Sequence, residues 1–283
     1  MLTFFTIPKK FEGHTGAIQR NAIQSWMQLS PPNQIILFGT DAGVQETAQE
    51  FGVVHIPEIE KNEFGTPLLH SAFSLAQKRA THDLLVYINT DIITFSDFVP
   101  AIRKIPYPMF LAAGRRWNLE VDTPIDFTDA HWEEKLKERM KKEGVLFGFS
   151  GIDYFVFPKT FPHELPAFAV GRRGWDNWLL YHTRRLNIPV IDATEMILII
   201  HQNHNYSHYK NGQKLKGGGP EADRNTKLAG GLVNMLTLRE ANWMLTPSGL
   251  EKLPFPRRFF SLVALWYPWR MLLALKRRIR MVV

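Results

Sequence analysis

The sequence predicts an α/β protein, with a mostly parallel sheet flanked by helices and a C-terminal tail that forms a basic amphipathic helix. Short apolar stretches alternate with helix-length segments through the first half of the chain. With 283 residues and 45% hydrophobic content, the chain is long enough to bury a large core. The excess of positive charge is confined to the C-terminal end, among aromatic and aliphatic side chains.

The first half of the chain has the strand and helix alternation of a parallel sheet. Apolar strands are predicted at 2–7, 34–38, 53–56 and 84–88, with helices between them at 14–29, 41–51 and 67–79. Pro31 and Pro32 end the first helix, Asp41 caps the second, and Pro67 occupies the first turn of the third. Alternation of this kind predicts helices on both faces of the sheet.

The second half is less regular. Strands are predicted at 108–113, 152–157, 190–192 and 196–200, and helices at 131–142 and 175–185. The stretch 210–223 contains Gly217-Gly218-Gly219-Pro220 and has the composition of a loop.

The net charge of +7 is unevenly distributed. Residues 254–283 hold seven basic and no acidic side chains, which leaves 27 of each before Pro254. The longest charge-free run in this tail, 259–269, has 11 residues, whereas about 20 are needed to span a bilayer. Aromatic and aliphatic residues flanked by basic ones predict a segment that lies on an anionic membrane surface. The alternative is a C-terminal helix packed on its own core; no nucleic-acid partner is expected, because the basic residues bracket apolar ones.

The chain has no cysteine, which excludes disulfides, a thiolate zinc site and a cysteine nucleophile. Any metal would therefore need oxygen or imidazole ligands. The N-terminal stretch 1–8 lacks the basic region of a signal peptide and is predicted to be the first strand. Together with the tail, these features predict a cytoplasmic protein bound peripherally to the membrane.

Polar side chains collect where apparent strands end. They are Asn89-Thr90-Asp91 after the strand 84–88, Asp153 with Trp175-Asp176, and the polar run from His201 through His204 to His208. In an open α/β sheet the carboxyl ends of the strands border the ligand crevice. Carboxylates and imidazoles there, without a serine or cysteine nucleophile, predict a divalent cation and phosphate chemistry.

Residues 1–208 resemble the nucleotide-diphospho-sugar glycosyltransferases of GT-A fold, and the family-2-like members in particular. The resemblance is carried by the first strand with its Pro8-Lys9 end, by the strand that ends in Asn89-Thr90-Asp91, and by the late helix opened by Asp176. The usual Asp-x-Asp motif of that family has an amide in its first position here. The resemblance implies a catalytic domain over 1–210, with a nucleotide-sugar half (about 1–115) and an acceptor half (about 116–210). A loop and helical extension (211–253) and the tail (254–283) follow.

The resemblance also implies roles for individual residues. Asp91 and His201 would bind Mn²⁺ or Mg²⁺, and Asp176, with Asp153 as second choice, would be the general base. The residues expected to contact the nucleotide-sugar are Ile7, Pro8, Lys9, Thr40, Asp41, Asn89, Thr90, Asp91 and Arg115. Those expected to contact the acceptor are Trp175, Asn177 and Trp178. For the two Trp rings, the alternative is a place in the core.

The function implied is that of a metal-assisted, inverting glycosyltransferase of hexosyltransferase type, acting on a glycan or lipid-linked acceptor in polysaccharide biosynthesis. A retaining transferase of the same fold stays open. The chain is also compatible with a sugar nucleotidyltransferase, which the residues after the first strand disfavour, and with a catalytically silent scaffold at the membrane surface.

Overall fold

The structure is a computed structural model that describes residues 1–121, 123–162, 164–204 and 218–282, with side chains through residue 276. A nine-stranded sheet has the order β13-β12-β10-β6-β9-β4-β1-β2-β3. Its strands are β1 (Thr3–Thr6), β2 (Gln34–Phe38), β3 (Val54–Ile56), β4 (Leu84–Ile88), β6 (Leu111–Ala113), β9 (Tyr154–Pro158), β10 (Val190–Asp192), β12 (Trp243–Thr246) and β13 (Gly249–Lys252). Five of its eight adjacent strand pairs are parallel, which confirms the predicted mostly parallel sheet.

Helices cover both faces of this sheet. The helices are α1 (Gly13–Met27), α2 (Val44–Phe51), α3 (Leu69–Arg79), α4 (Phe98–Ile102), α5 (Trp132–Glu143), α6 (Trp175–Arg185), α7 (Pro220–Leu228), α8 (Arg257–Val263) and α9 (Tyr267–Val282). Alternation along β1 assigns the faces: Phe4 packs with Trp26 of α1, and Phe5 packs with Phe73 of α3. Phe73 is fully buried, so Phe73→Ala would cost about 3–5 kcal/mol of stability.

A second, four-stranded sheet has the order β5-β11-β7-β8. Its strands are β5 (Ile92–Thr94), β7 (Trp117–Leu119), β8 (Val145–Leu146) and β11 (Ile199–Gln202). Only three residues, 89–91, separate β4 of the large sheet from β5 of the small one. The polar turn after β4 therefore lies at the junction of the two sheets.

The first two loops at the carboxyl edge of the large sheet are packed against each other. The Phe11 amide donates to the Ala42 carbonyl at 2.8 Å. Gly43 has a φ of +83°, and a Cβ there would lie 2.8 Å from the Phe11 Cβ. Glycine at this position thus permits both the left-handed backbone and the close approach of the loops.

The stretch 211–253, expected to be a loop and helical extension, also contributes strands. After α7 come two 3₁₀ turns, Leu232–Asn234 and Leu238–Glu240, and then the hairpin of β12 and β13. Because β12 pairs in parallel with β10, this hairpin extends the large sheet. The predicted boundary at residue 210 and His208 lie outside the described residues.

The tail is helical, and one side of it is docked on the rest of the protein. Arg257 forms an ion pair with buried Asp192 at 2.6 Å, and Arg184 donates to the Ser261 carbonyl oxygen at 2.9 Å. On its other side, large apolar side chains remain exposed, including Leu262 and Trp266. None of the described helices combines the length and the apolar character required to cross a bilayer.

Candidate functional site

Asp91, His201 and His204 meet where the two sheets join. The Asp91 Oδ2 atom lies 3.4 Å from His201 Nε2 and 3.2 Å from His204 Nε2. One ligand atom from each of the three side chains lies within 4.8 Å of the others. The cluster therefore offers one carboxylate and two imidazoles to a single point.

Backbone pairing brings these residues together. Asp91 directly precedes β5, and in the antiparallel pairing of β5 with β11 Ile92 stands opposite His201. The Gln202 amide donates to the Asp91 carbonyl oxygen at 3.1 Å. His204 follows His201 by three residues, just beyond the end of β11.

Buried polar side chains of α1 and β11 fix this backbone. The Gln202 side-chain amide donates to the carbonyl oxygens of Ile18, at 2.8 Å, and Asp91, at 3.2 Å. Its Oε1 accepts from Asn21 Nδ2 at 3.0 Å. Trp26 of α1 donates its indole N–H to the Ile92 carbonyl oxygen at 2.9 Å. The turn that carries Asp91 is thus held from the helix side, and its carboxylate is left to face the imidazoles.

The donor set fits a divalent cation. Burial alone would raise the pKa of Asp91, but His201 and His204 hold it well below its usual range, so the group is a carboxylate. Its Oδ1 atom and His201 Nδ1 are buried without a hydrogen-bond partner among the described residues. An unsatisfied buried carboxylate oxygen is costly, and a bound cation would remove that cost. Two of the three donors are imidazole nitrogens, which transition-metal ions accept more readily than Mg²⁺ does.

Asn89 has a partner that explains its amide. Its Nδ2 donates to Asp153 Oδ1 at 2.7 Å, while Arg116 Nη1 donates to Asp153 Oδ2 at 2.7 Å. The Tyr87 hydroxyl donates to Asn89 Oδ1 at 3.3 Å. A carboxylate at position 89 would face Asp153 as a like charge. The amide of Asn89, in place of the first Asp of Asp-x-Asp, therefore suits its position next to the Asp153 carboxylate.

The same contacts favour Asp176 over Asp153 as general base, and the second-choice assignment of Asp153 stays a prediction. Both of its carboxylate oxygens accept hydrogen bonds, and its ion pair with Arg116 is mostly buried. A base must offer a lone pair to the acceptor hydroxyl. Asp153 instead holds Asn89 and Arg116 in place.

Asp176 opens α6 after Gly174, whose φ of +101° turns the chain into the helix. Burial raises the pKa of Asp176 to about 6, with the Asp153 carboxylate adding to the rise and the backbone amide of Asn177 opposing it. Burial raises the pKa of the Tyr87 hydroxyl, and the charges of Asp153, Asp91 and Asp176 add to the rise, so all three carboxyl groups lie within electrostatic reach of Tyr87. A carboxyl group with a raised pKa among other titratable side chains is typical of a general base.

The two Trp rings of the predicted acceptor site lie in the core. Trp175 is 6% exposed and packs edge-on against Tyr87, with ring centroids 5.0 Å apart. Trp178 is 8% exposed and stacks on His182 at 4.6 Å. Their rings are not available to a sugar, which corrects the predicted stacking role. Asn177 is partly exposed and remains a candidate for acceptor binding.

The predicted donor residues line the edge beside this cluster. Gln19 of α1 brackets the Lys9 backbone, accepting from its amide at 2.7 Å and donating to its carbonyl at 2.9 Å. The Lys9 ammonium lies within electrostatic reach of Asp91 and Arg172. Ile7 and Pro8 precede it, and Thr40 and Asp41 are exposed on the adjoining loop.

Thr90 and Arg115 already have partners within the protein. The Thr90 hydroxyl is buried and hydrogen-bonds the Thr6 hydroxyl at 2.8 Å, joining the ends of β1 and β4. Arg115 donates its Nε–H to the Phe147 carbonyl at 2.7 Å and lies over the Phe149 ring. Of Arg115 and Arg116, Arg116 is the one that is linked to Asn89, because both donate hydrogen bonds to Asp153.

The sequence alone did not assign His204 as a ligand or Gln202 as its support. The spacing of His201 and His204 was the available signal, but it becomes informative only once β11 is known to end between them. The pairing of Asn89 with Asp153 joins residues 64 positions apart and has no local signal.

Solved structures with a similar fold are described as sugar transferases. A Desulfovibrio desulfuricans protein, provisionally described as a nucleotide-diphospho-sugar transferase, is 12% identical with a TM-score of 0.46, over 81% of this chain and 96% of its own. The mannosyltransferase PcManGT from Pyrobaculum calidifontis, solved with GDP-Man and Mn²⁺, is 9% identical with a TM-score of 0.48, over 73% of this chain and 58% of its own. Glucosyl-3-phosphoglycerate synthase from M. tuberculosis is 15% identical with a TM-score of 0.46, over 82% and 81%. No family model matches the chain, and no curated protein matches it in sequence.

Proposed function

We propose that this protein is a glycosyltransferase that moves a sugar from a nucleotide-diphospho-sugar to a glycan or lipid-linked acceptor. The observation that carries the proposal is the cluster of Asp91, His201 and His204, with unpartnered buried donor atoms, near Asp176 with its raised pKa. One carboxyl group is suited to cation binding and the other to proton transfer.

Asp91, His201 and His204 would hold the cation, with Mn²⁺ favoured by the nitrogen donors. When bound, such an ion neutralises charge on the diphosphate leaving group. The Lys9 ammonium, within reach of Asp91, adds positive charge on the same side. Ile7, Pro8, Thr40 and Asp41, on the two interlocked loops, would contact the nucleotide.

Asp176 acts as the general base. Its carboxylate takes the proton of the acceptor hydroxyl as the oxygen attacks the anomeric carbon, and direct attack of this kind inverts the configuration. Its pKa of about 6 leaves most of the group ionised at neutral pH and makes it a stronger base than an ordinary carboxylate. Asn177, the next residue of α6, is placed to contact the acceptor.

The amide at position 89 does not favour the scaffold alternative, because Asn89 has its own structural role toward Asp153. Arg116 neutralises Asp153, and so limits its repulsion of Asp176. These contacts favour an active site over a catalytically silent scaffold.

Thermal shift with UDP- and GDP-sugars, with and without Mn²⁺, tests the proposal. We expect at least one donor to raise the Tm, more so with Mn²⁺, and to release nucleoside diphosphate when acceptor is supplied. Asp91→Asn should abolish the additional rise in Tm that Mn²⁺ gives. Asp83→Asn is the matched control, since Asp83 is an exposed carboxylate that directly precedes β4, whereas Asp91 lies just after that strand. Absence of stabilisation by every nucleotide-sugar would favour the scaffold.

We further propose that the tail rests on an anionic membrane surface, near a membrane-associated acceptor. Its exposed apolar side chains include Leu262, Trp266 and Leu275, and basic residues flank them. Because α8 is docked through Arg257, the test uses the full chain. Leu262→Ser with Trp266→Ser should release the protein from anionic vesicles, whereas Phe64→Ser, at an equally exposed position outside the tail, should not. Unchanged vesicle binding by the double variant would contradict a membrane role for the tail.

A further inference from the structure

A cationic cavity lies between α6 and the tail, away from the cluster around Asp91. It has a volume of about 420 Å³ and is lined by Tyr181, Arg185, Leu265 and Arg270. Tyr181 and Arg185 belong to α6, Leu265 lies between α8 and α9, and Arg270 is in the first turns of α9. The cavity therefore forms only when the tail is docked.

Among the described residues, its two arginines have no carboxylate partner. The guanidinium carbons of Arg270 and Arg185 lie 5.0 Å and 5.9 Å from the centroid of the Tyr181 ring. Arg270 donates from Nη1 to the Tyr181 hydroxyl and to Asn234 Oδ1, both at 2.8 Å, and both acceptors are neutral. Within the described part of the chain neither arginine forms an ion pair, and Arg270 Nε is buried without a hydrogen-bond partner.

This arrangement suits a phosphate group. A partly buried guanidinium that hydrogen-bonds only neutral groups gains from an anion that replaces the lost water. Arginine forms paired hydrogen bonds with two phosphate oxygens, and the aromatic ring holds the guanidinium planes in position. Arg185 is exposed, and its side chain can close on such an anion from the solvent side.

The position of the cavity identifies the source of the phosphate. Leu265, which lines it, is followed by exposed Trp266 and Tyr267, and amphipathic aromatic rings favour the headgroup level of a membrane. The guanidinium carbon of Arg270 also lies 5.4 Å from the Tyr267 ring centroid. A phosphate in the cavity would therefore sit at the depth at which the apolar face of the tail meets the lipid surface.

We propose that the cavity lined by Tyr181, Arg185 and Arg270 binds the phosphate of an anionic phospholipid headgroup. The site rests on the proposed membrane association and makes it specific, because Arg185 lies outside the tail and adds a defined contact to the diffuse attraction of the basic residues.

The test compares two variants that lose the same charge. Arg185→Gln removes a lining residue, and Arg258→Gln removes an exposed arginine of α8 that does not line the cavity. Binding is measured with phosphatidylcholine vesicles containing phosphatidylglycerol. We expect Arg258→Gln to weaken binding about five-fold, as for any basic residue near an anionic surface, and Arg185→Gln at least tenfold. Equal losses would overturn the proposal.

A soluble probe separates the two sources of phosphate. Glycerol 3-phosphate should raise the Tm of the wild type and of Arg258→Gln, but not of Arg185→Gln. If glycerol 3-phosphate gives this pattern of Tm values while Arg185→Gln and Arg258→Gln bind vesicles equally, the cavity binds a free phosphate ester and the lipid assignment is wrong. Arg270→Lys, which keeps the charge but loses the planar fork, should weaken both responses; full retention of both would contradict the proposal.

Two measurements distinguish the headgroup site from the proposed transferase activity and from the proposed membrane contact of the tail. Arg185→Gln should retain donor-dependent release of nucleoside diphosphate without vesicles, since Arg185 is remote from the proposed catalytic groups. Loss of vesicle binding by the Leu262 and Trp266 double variant alone would support tail insertion and overturn the headgroup site.

Discussion

The surroundings of Asp91 and Asp176, two carboxyl groups of the proposed site, shift their pKa values in opposite directions. Both are desolvated, which by itself favours the protonated form. Asp91 faces two imidazoles that outweigh this effect. Asp176 faces Asp153, which adds to it, and its pKa rises to about 6. The difference shows how neighbouring side chains give one residue type two different proton affinities, which is the basis of the two roles proposed for Asp91 and Asp176.

The largest expected effect is that of Asp91→Asn. Removing the carboxylate leaves a cation only the two imidazoles as ligands, neither of which supplies a negative charge, so the cation is held less tightly and charge stabilisation of the leaving group is lost. We expect kcat/KM to fall about 10³- to 10⁴-fold, with loss of Mn²⁺-dependent activity. Activity is measured as nucleoside diphosphate release over a Mn²⁺ titration. Wild-type activity in this variant would show that Asp91 does not bind the cation.

Asp176→Asn should lower kcat about 10³-fold while leaving donor affinity nearly unchanged, because an amide cannot accept the proton of the acceptor. Donor binding is measured by isothermal titration and kcat by product release. A weaker donor affinity with unchanged kcat would assign Asp176 to the donor side instead.

The same variant should be more stable than the wild type at neutral pH. Since the folded pKa of Asp176 is raised from 3.8 to about 6, the folded state binds its proton more tightly, and stability falls as the pH rises through this interval. The gain from Asp176→Asn should reach at most about 3 kcal/mol above pH 6 and vanish near pH 4. Denaturant unfolding at both pH values measures it. A gain that does not depend on pH would contradict the raised pKa.

Gln202→Leu should weaken Mn²⁺ affinity about 10- to 100-fold, because the backbone of Asp91 loses its support. The carboxylate and the imidazoles themselves remain. Fitting activity against Mn²⁺ concentration separates the effect: saturating Mn²⁺ should restore most of kcat. Failure to recover at high Mn²⁺ would indicate a general loss of structure.

The smallest effect expected is on the pH profile of kcat/KM. With Asp176 as base, the profile should fall tenfold per pH unit below about pH 6. Replacing Asn89 with Asp adds a carboxylate next to Asp153 and should move this limb to higher pH. An unmoved limb would indicate that the charge at Asp153 does not reach the base.

The sequence was sufficient to predict the strands of the large sheet except β12 and β13, but of the small sheet it predicted only β11. Strands β1, β2 and β4 are apolar stretches of four or five residues flanked by helices, and their pattern is local. Strands β5, β7 and β8 have only two or three residues, and their pairing depends on contacts far along the chain. Such pairing has no periodic signal within a short window.

The candidate site shows the same division. Asp91 and His201 follow apolar strands, so their positions at strand ends could be predicted and the structure brings them together. The roles of Trp175 and Trp178 could not be predicted from the sequence, since a Trp near the start of a helix can pack in the core or bind a ligand. Their burial places both rings in the core. The bond between Asn89 and Asp153 required the antiparallel pairing of β4 with β9, which places Ile88 opposite Tyr154.

The small sheet has a consequence for how such a protein can diversify. Its strands β5 and β11 carry or adjoin Asp91 and His201, whereas β8 lies at the opposite edge. Helix α5 packs on the sheet itself, where Leu136 and Met140 share a buried cluster with residues of β5, β7 and β11. Substitutions in β8 thus alter the surface at that edge while β5 and β11 keep their pairing. New acceptor preferences can accumulate on this edge without displacing the residues that would bind the cation.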